Sequence, residues 1–126
     1  MNDISREKLV RVLRIRVKMF MEKLRWREYL SYFAQAAKRI LGPQTRVLVF
    51  GSAARGELTA DSDIDVLIIV PKVPERASQR ATLVAQMLAE AEEKGMPWWY
   101  PVEVHWATPE EFERWYKKHL DAVVEL

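Results

Sequence analysis

The chain has no cysteine among its 126 residues. That excludes a disulfide framework, thiol catalysis and cysteine-ligated zinc, and it fits a reducing, cytoplasmic setting. Glycine is scarce, at four residues. Neither Gly-x-x-x-x-Gly-Lys-Ser/Thr nor Gly-x-Gly-x-x-Gly occurs, so the sequence carries no P-loop and no dinucleotide-binding fingerprint. The apolar runs, such as Val66 to Pro71, are far too short to span a bilayer. The charged N-terminal stretch lacks the apolar segment of a secretory signal.

What is present is an ordinary globular composition, 49% hydrophobic and 30% charged. A chain of this length builds one domain with a sizeable core. The net charge of +2 conceals an asymmetry: residues 1–48 hold 12 Lys/Arg against 4 Asp/Glu, and the remainder holds 8 against 14. A basic front half can attract nucleic acid or an acidic partner, and an acidic back half can attract cations.

Hydrophobic spacing predicts a helix over 3–24, with Leu9, Leu13, Val17, Phe20 and Leu24 on one face. The alternation of Arg14 to Met19 keeps a basic strand open there. A firmer helix covers 26–41 and stops at Gly42-Pro43. Arg46 to Phe50 and Ile64 to Val70 read as strands, rich in β-branched residues. Glu75 to Lys94 reads as an amphipathic helix and Val102 to Trp106 as a third strand. Thr108-Pro109-Glu110-Glu111 is a capping box that opens a last helix through Phe112, Trp115, Tyr116 and Leu120. The expected fold is α/β: a small mixed sheet flanked by helices, in one domain over 1–126. Residues 1–25 form a basic helical extension, and the core runs over 26–120.

The chemistry concentrates in residues 50–70, FGSAARGELTADSDIDVLIIV. Gly51-Ser52 follows a strand and opens a short helical segment, where glycine permits close backbone approach and the first N–H groups favour an anion. Arg55 adds a planar cation suited to phosphate. Asp63 and Asp65 stand two apart on a predicted strand and so share a face. A fold tolerates two close carboxylates chiefly when a cation lies between them, and Mg²⁺ prefers carboxylate and phosphate oxygens. Asp61 reads as turn chemistry. On the next strand Glu103, flanked by valines, is the candidate third carboxylate. His105 shares its face by parity and is expected to be a half-buried polar residue. The run Trp98-Trp99-Tyr100 is expected in the core and at a subunit contact, although such aromatics also stack on bases.

Gly51-Ser52, ten residues, then Asp63-x-Asp65, with Arg55-Gly56 inside, resembles the minimal nucleotidyltransferases of the DNA polymerase β-like superfamily. The resemblance implies that Gly51, Ser52 and Arg55 hold the triphosphate of ATP or another nucleoside triphosphate. It implies that Asp63, Asp65 and Glu103 bind two Mg²⁺ ions, with Mn²⁺ as a substitute. An acceptor hydroxyl then attacks the α-phosphorus and pyrophosphate leaves. Minimal members lack the domains that grip an acceptor, so a second copy of the chain or another protein is expected to complete the site. Relatives of this kind pair with a small helical HEPN-type protein in toxin–antitoxin modules, where they act as the antitoxin and transfer AMP to a tyrosine of the toxin. Two alternatives stand beside this reading. One is a nucleic-acid-binding module or RNA-end transferase using Arg11, Arg14, Arg16 and Lys18; the other is a binding subunit that keeps the fold without catalysis.

Overall fold

The computed structural model describes residues 3–126, with side chains from Ser5 onward. The elements in chain order are α1 (Asp3–Lys23), α2 (Trp26–Leu41), β1 (Arg46–Phe50), α3 (Ser52–Arg55), β2 (Ile64–Ile69), α4 (Ala77–Glu93) and β3 (Val102–Ala107). A C-terminal helical segment follows as α5 (Pro109–Glu111), a π-helical turn (Phe112–Tyr116) and α6 (Lys117–His119), and β4 (Val123–Glu125) ends the fold. The sheet order is β3-β2-β1-β4, antiparallel at β1/β2 and β1/β4 and parallel at β2/β3. This is the expected α/β architecture of a small mixed sheet flanked by helices.

β2 is buried on both faces except at Asp65, which is why its sequence reads as a nearly continuous apolar run. One face of the sheet, with Val47, Val49, Ile64, Val66 and Ile68, packs on Leu30, Phe33 and Ala37 of α2 and on Met87 and Ala91 of α4. On the other face Leu48, Leu67, Ile69 and Ala107 meet Phe112. Burying each large apolar side chain is worth about 1.5–3 kcal/mol, so the doubly covered strands anchor the domain. Phe50 and Tyr116, both half-buried, pack beside Phe112 on that second face. By the alternation of the strand, Asp65 shares the face of Leu67 and Ile69, and it is half-buried.

The capping box forms as read: Glu111 N donates to Thr108 Oγ1 at 3.2 Å, and Thr108 N donates to Glu111 Oε1 at 3.1 Å. The helix it opens includes a π turn and stops at His119, short of the expected Leu120. The last strand was not announced by periodicity, because three residues are too few to show a pattern. β4 is held by Leu126 N donating to Val47 O at 2.9 Å and by the Arg46–Glu125 ion pair at 2.8 Å.

Residues 3–23 are helical, which removes the basic-strand alternative. The expected packing face of that helix, however, stands in solvent: Leu13 is 51% and Val17 61% exposed, and only Phe20 is half-buried. α1 meets the body through its last turn. There Tyr100 Oη donates to Lys23 O at 2.7 Å, and Glu22 accepts from Tyr29 Oη. The aromatic run also divides: Tyr100 is buried edge-on against Tyr29, whereas Trp98 is 84% exposed and so is not core. Among the described residues, no helix is long and apolar enough to cross a membrane.

Candidate active site

Gly51 closes β1 with φ +72° and ψ −150°, a conformation that L side chains rarely adopt. A Cβ built on it would collide with Asp65 Oδ2. The backbone at residue 51 therefore lies directly against the Asp65 carboxylate, and only glycine permits that approach. Phe50 pairs with Asp65 across the antiparallel ladder, which sets this register. Ser52 begins α3 half-buried. Arg55, exposed at the end of α3, donates from Nε to Glu57 Oε2 at 3.0 Å and lies 3.7 Å from Asp121 Oδ1. Asp121 reaches it from the loop before β4.

The parallel pairing of β2 with β3 sets Asp65 beside Glu103 and Leu67 beside His105. Asp65, Glu103 and His105 each offer one ligand atom within 4.8 Å of the others. His105 Nε2 lies 3.7 Å from Asp65 Oδ1 and 3.7 Å from Glu103 Oε1, with its ring tilted against Phe50. Burial pushes the Asp65 carboxyl above its ordinary range, and the neighbouring Glu103 pushes it further, through a hydrogen bond and through its charge. His105 opposes this rise, and the charge of Asp63 adds to it. The cluster thus holds more negative charge than its side chains neutralise. Two carboxylates and one imidazole at this spacing suit a divalent cation of the Mg²⁺ or Mn²⁺ kind, with phosphate oxygens able to fill the remaining positions.

The six residues singled out in the sequence occupy neighbouring places. Gly51 and Asp65 touch, and Glu103 stands beside Asp65. Ser52 and Arg55 lie on α3, which packs on β1 and β2. Asp63 sits one residue before β2, exposed, outside the three-residue cluster but near enough for its charge to act on Asp65. Asp61 lies in the turn, as read. His105 is half-buried as expected, yet it belongs to the cluster, a membership that strand parity with Glu103 signals.

Sequence reasoning missed the surroundings of Asp63. Lys23, only 5% exposed, donates from Nζ to three backbone carbonyls: Thr59 at 3.3 Å, Ala60 at 2.8 Å and Ser62 at 2.7 Å. A buried ammonium so satisfied fixes the loop that leads into Asp63. Between this loop, α1 and the turn at Trp99 lies an open cleft of about 340 Å³. No spacing rule links residue 23 to residues 59–62, so the sequence carries no signal for the contact.

Among known proteins, the protein-family description of the nucleotidyltransferase domain matches residues 30–123. No curated protein matches the chain. A crystal structure of a provisionally assigned nucleotidyltransferase from Sulfolobus solfataricus is similar in fold, with a TM-score of 0.51 at 20% identity, covering 87% of this chain and 84% of that one. The matched span runs from α2 to β4 and includes both the glycine turn and the acidic cluster, and on that ground the chain belongs to the nucleotidyltransferase domain family.

Proposed function

We propose that the chain transfers a nucleoside monophosphate, AMP from ATP in the leading form of this reading, to a hydroxyl acceptor. The observation that carries it is the contact of the bare Gly51 backbone with Asp65, beside Glu103 and His105. That contact joins a turn open enough for phosphate to a cluster in need of a cation. In this reading Gly51, Ser52 and Arg55 hold the triphosphate, with Arg55 exchanging Glu57 and Asp121 for phosphate oxygens. Asp63, Asp65 and Glu103 hold two Mg²⁺ ions, and His105 offers one further donor. When bound, such cations neutralise charge developing on the transferred phosphoryl group. The acceptor oxygen forms a bond to the α-phosphorus while the bond to the bridging oxygen of pyrophosphate breaks. The hydroxyl proton passes to Glu103 or Asp65.

The exposed apolar side chains of α1, interleaved with arginines, support a protein acceptor, because a large solvent-facing apolar surface is more typical of a protein contact than of a nucleic-acid contact. A tyrosine of a small helical HEPN-type protein, encountered in the cytoplasm, is the acceptor this reading favours, with the chain acting as antitoxin. A second copy of the chain could use the same helix.

The test incubates the protein with Mg²⁺, α-labelled ATP and the HEPN-type partner. Label and an AMP mass shift are expected on a partner tyrosine, and both disappear in the Asp63→Ala, Asp65→Ala double variant while its far-UV spectrum is kept. Transfer by the double variant at the wild-type rate would overturn the site assignment. Pyrophosphate release with no label on the partner would remove the HEPN-type acceptor alone. RNA affinity that falls steeply with salt would favour the nucleic-acid alternative.

A further inference from the structure

We infer that the cleft between α1 and the 60–63 loop receives the base of the nucleotide donor. This rests on the transferase reading above and adds to it the place where the uncharged end of the donor lies. The cleft, about 340 Å³, is lined by Phe20, Trp99, Arg16, Asp61 and Asp63, with Lys23 at its inner wall. It is within the size range of small-molecule pockets, about 300–1,000 Å³.

Its chemistry selects one end of a nucleotide. Lys23 is a cation, but all three of its N–H groups are spent on the carbonyls of Thr59, Ala60 and Ser62. Asp61, which the transferase reading leaves without a cation, is a carboxylate that repels phosphate at this spot. What remains is two aromatic rings, Phe20 and Trp99, and a rim bearing one donor side chain and one acceptor side chain, Arg16 and Asp61. The Arg16 side chain has no hydrogen bond or ion pair to another described residue. A flat, neutral heterocycle with hydrogen-bonding edges satisfies all of these groups. A base stacks on an aromatic ring whatever its identity, and its edge takes one hydrogen bond from a guanidinium and gives one to a carboxylate.

The topology gives the same answer. β2 is flanked by β1 on one side and β3 on the other. The glycine turn and α3 lie on the β1 side of Asp65, whereas the cleft lies on the β3 side, where Ile64 N donates to Pro101 O at 2.8 Å. A donor with its β- and γ-phosphates at Gly51-Ser52 and its α-phosphate at Asp65 therefore runs onward past Asp63 into the cleft. Glu103, exposed on the edge strand β3, is left open to the acceptor. Lys23 keeps the loop wall in place before any ligand arrives.

The experiment is isothermal titration of the intact protein, in Mg²⁺, with two probes: ATP and inorganic tripolyphosphate. Three proteins are compared, namely wild type, Trp99→Leu and Arg16→Ala. Arg16→Ala changes an exposed helix residue and keeps the fold even if Trp99→Leu does not. Wild type is expected to bind ATP more tightly than tripolyphosphate. Trp99→Leu is expected to weaken ATP about tenfold, the worth of one aromatic–base stack, and to leave tripolyphosphate unchanged. Arg16→Ala is expected to weaken ATP two- to fivefold, again with no change for tripolyphosphate.

The inference is overturned if ATP affinity in both variants equals wild type, or if tripolyphosphate loses as much as ATP. Either result leaves the transferase reading intact. Wild type that binds neither probe would overturn that reading as well, so the two failures are distinguishable.

Discussion

α1 and the β1–β2 pair have much in common on paper: both are rich in Val, Leu and Ile, and both carry few residues that break regular structure. In the folded chain they have opposite fates. Val47, Val49, Val66, Leu67 and Ile68 have no exposed surface, while Leu9, Leu13, Ile15 and Val17 are half or more exposed. The difference lies in how each satisfies its backbone. A strand must find neighbours for its N–H and C=O groups, and finding them brings a sheet and its covering helices. A helix closes its hydrogen bonds internally and can stand away from the body, tied only at one end. Apolar content therefore says that a segment needs a partner, and the architecture says whether that partner is in the same chain.

The comparison is most severely tested by matched deletions of apolar bulk. Phe33→Ala, in the core under β1, is expected to lower the unfolding free energy by about 3–5 kcal/mol. Leu13→Ala is expected to change it by less than about 0.5 kcal/mol. Urea unfolding of the two variants measures both effects, and equal losses would mean that α1 belongs to the cooperative core after all.

A smaller effect is expected at the joint between the two regions. Lys23→Met removes the ammonium and strands three carbonyls, which should cost about 2 kcal/mol. Amide exchange should quicken in residues 59–62 and stay slow in β1 and β2. Uniform acceleration throughout the sheet would show that the contact supports the whole fold and not the loop.

The smallest effect is expected from pH. Burial holds Tyr29 in its neutral form and raises its pKa from 10.0 to about 12, with the hydrogen bond to Glu22 as the second cause. Burial raises Tyr100 as well. A group whose folded pKa lies above its unfolded value contributes stability that is complete below the unfolded value and is lost as pH rises toward the folded one. Melting temperature should therefore hold up to about pH 10 and fall between 10 and about 12, with α1 loosening before the sheet. Melts followed alongside phenolate absorbance check this. A stability that stays flat across that window would place both hydroxyls in water.

Much of the site could be read from the chain because its residues are local. Gly51, Ser52, Arg55, Asp63 and Asp65 fall within fifteen positions. Three features escaped. The cleft at Trp99 joins residues from 16 to 101, and the Lys23 contact spans 36 to 39 positions, distances over which no periodicity speaks. β4 escaped for a different reason: a three-residue edge strand acquires its identity only from the β1 edge it completes.

Local physics was decided along the chain itself: where most helices begin and stop, which strands are apolar enough to be buried, and where the chain turns on glycine. Those properties depend on residues a few positions apart, whose interactions are the same in any fold that contains them. Packing decided the rest. It exposed the face of α1, gathered Asp65, Glu103 and His105, and walled a cleft beside Asp63, because each of these depends on contacts between segments whose separation only the closed sheet sets.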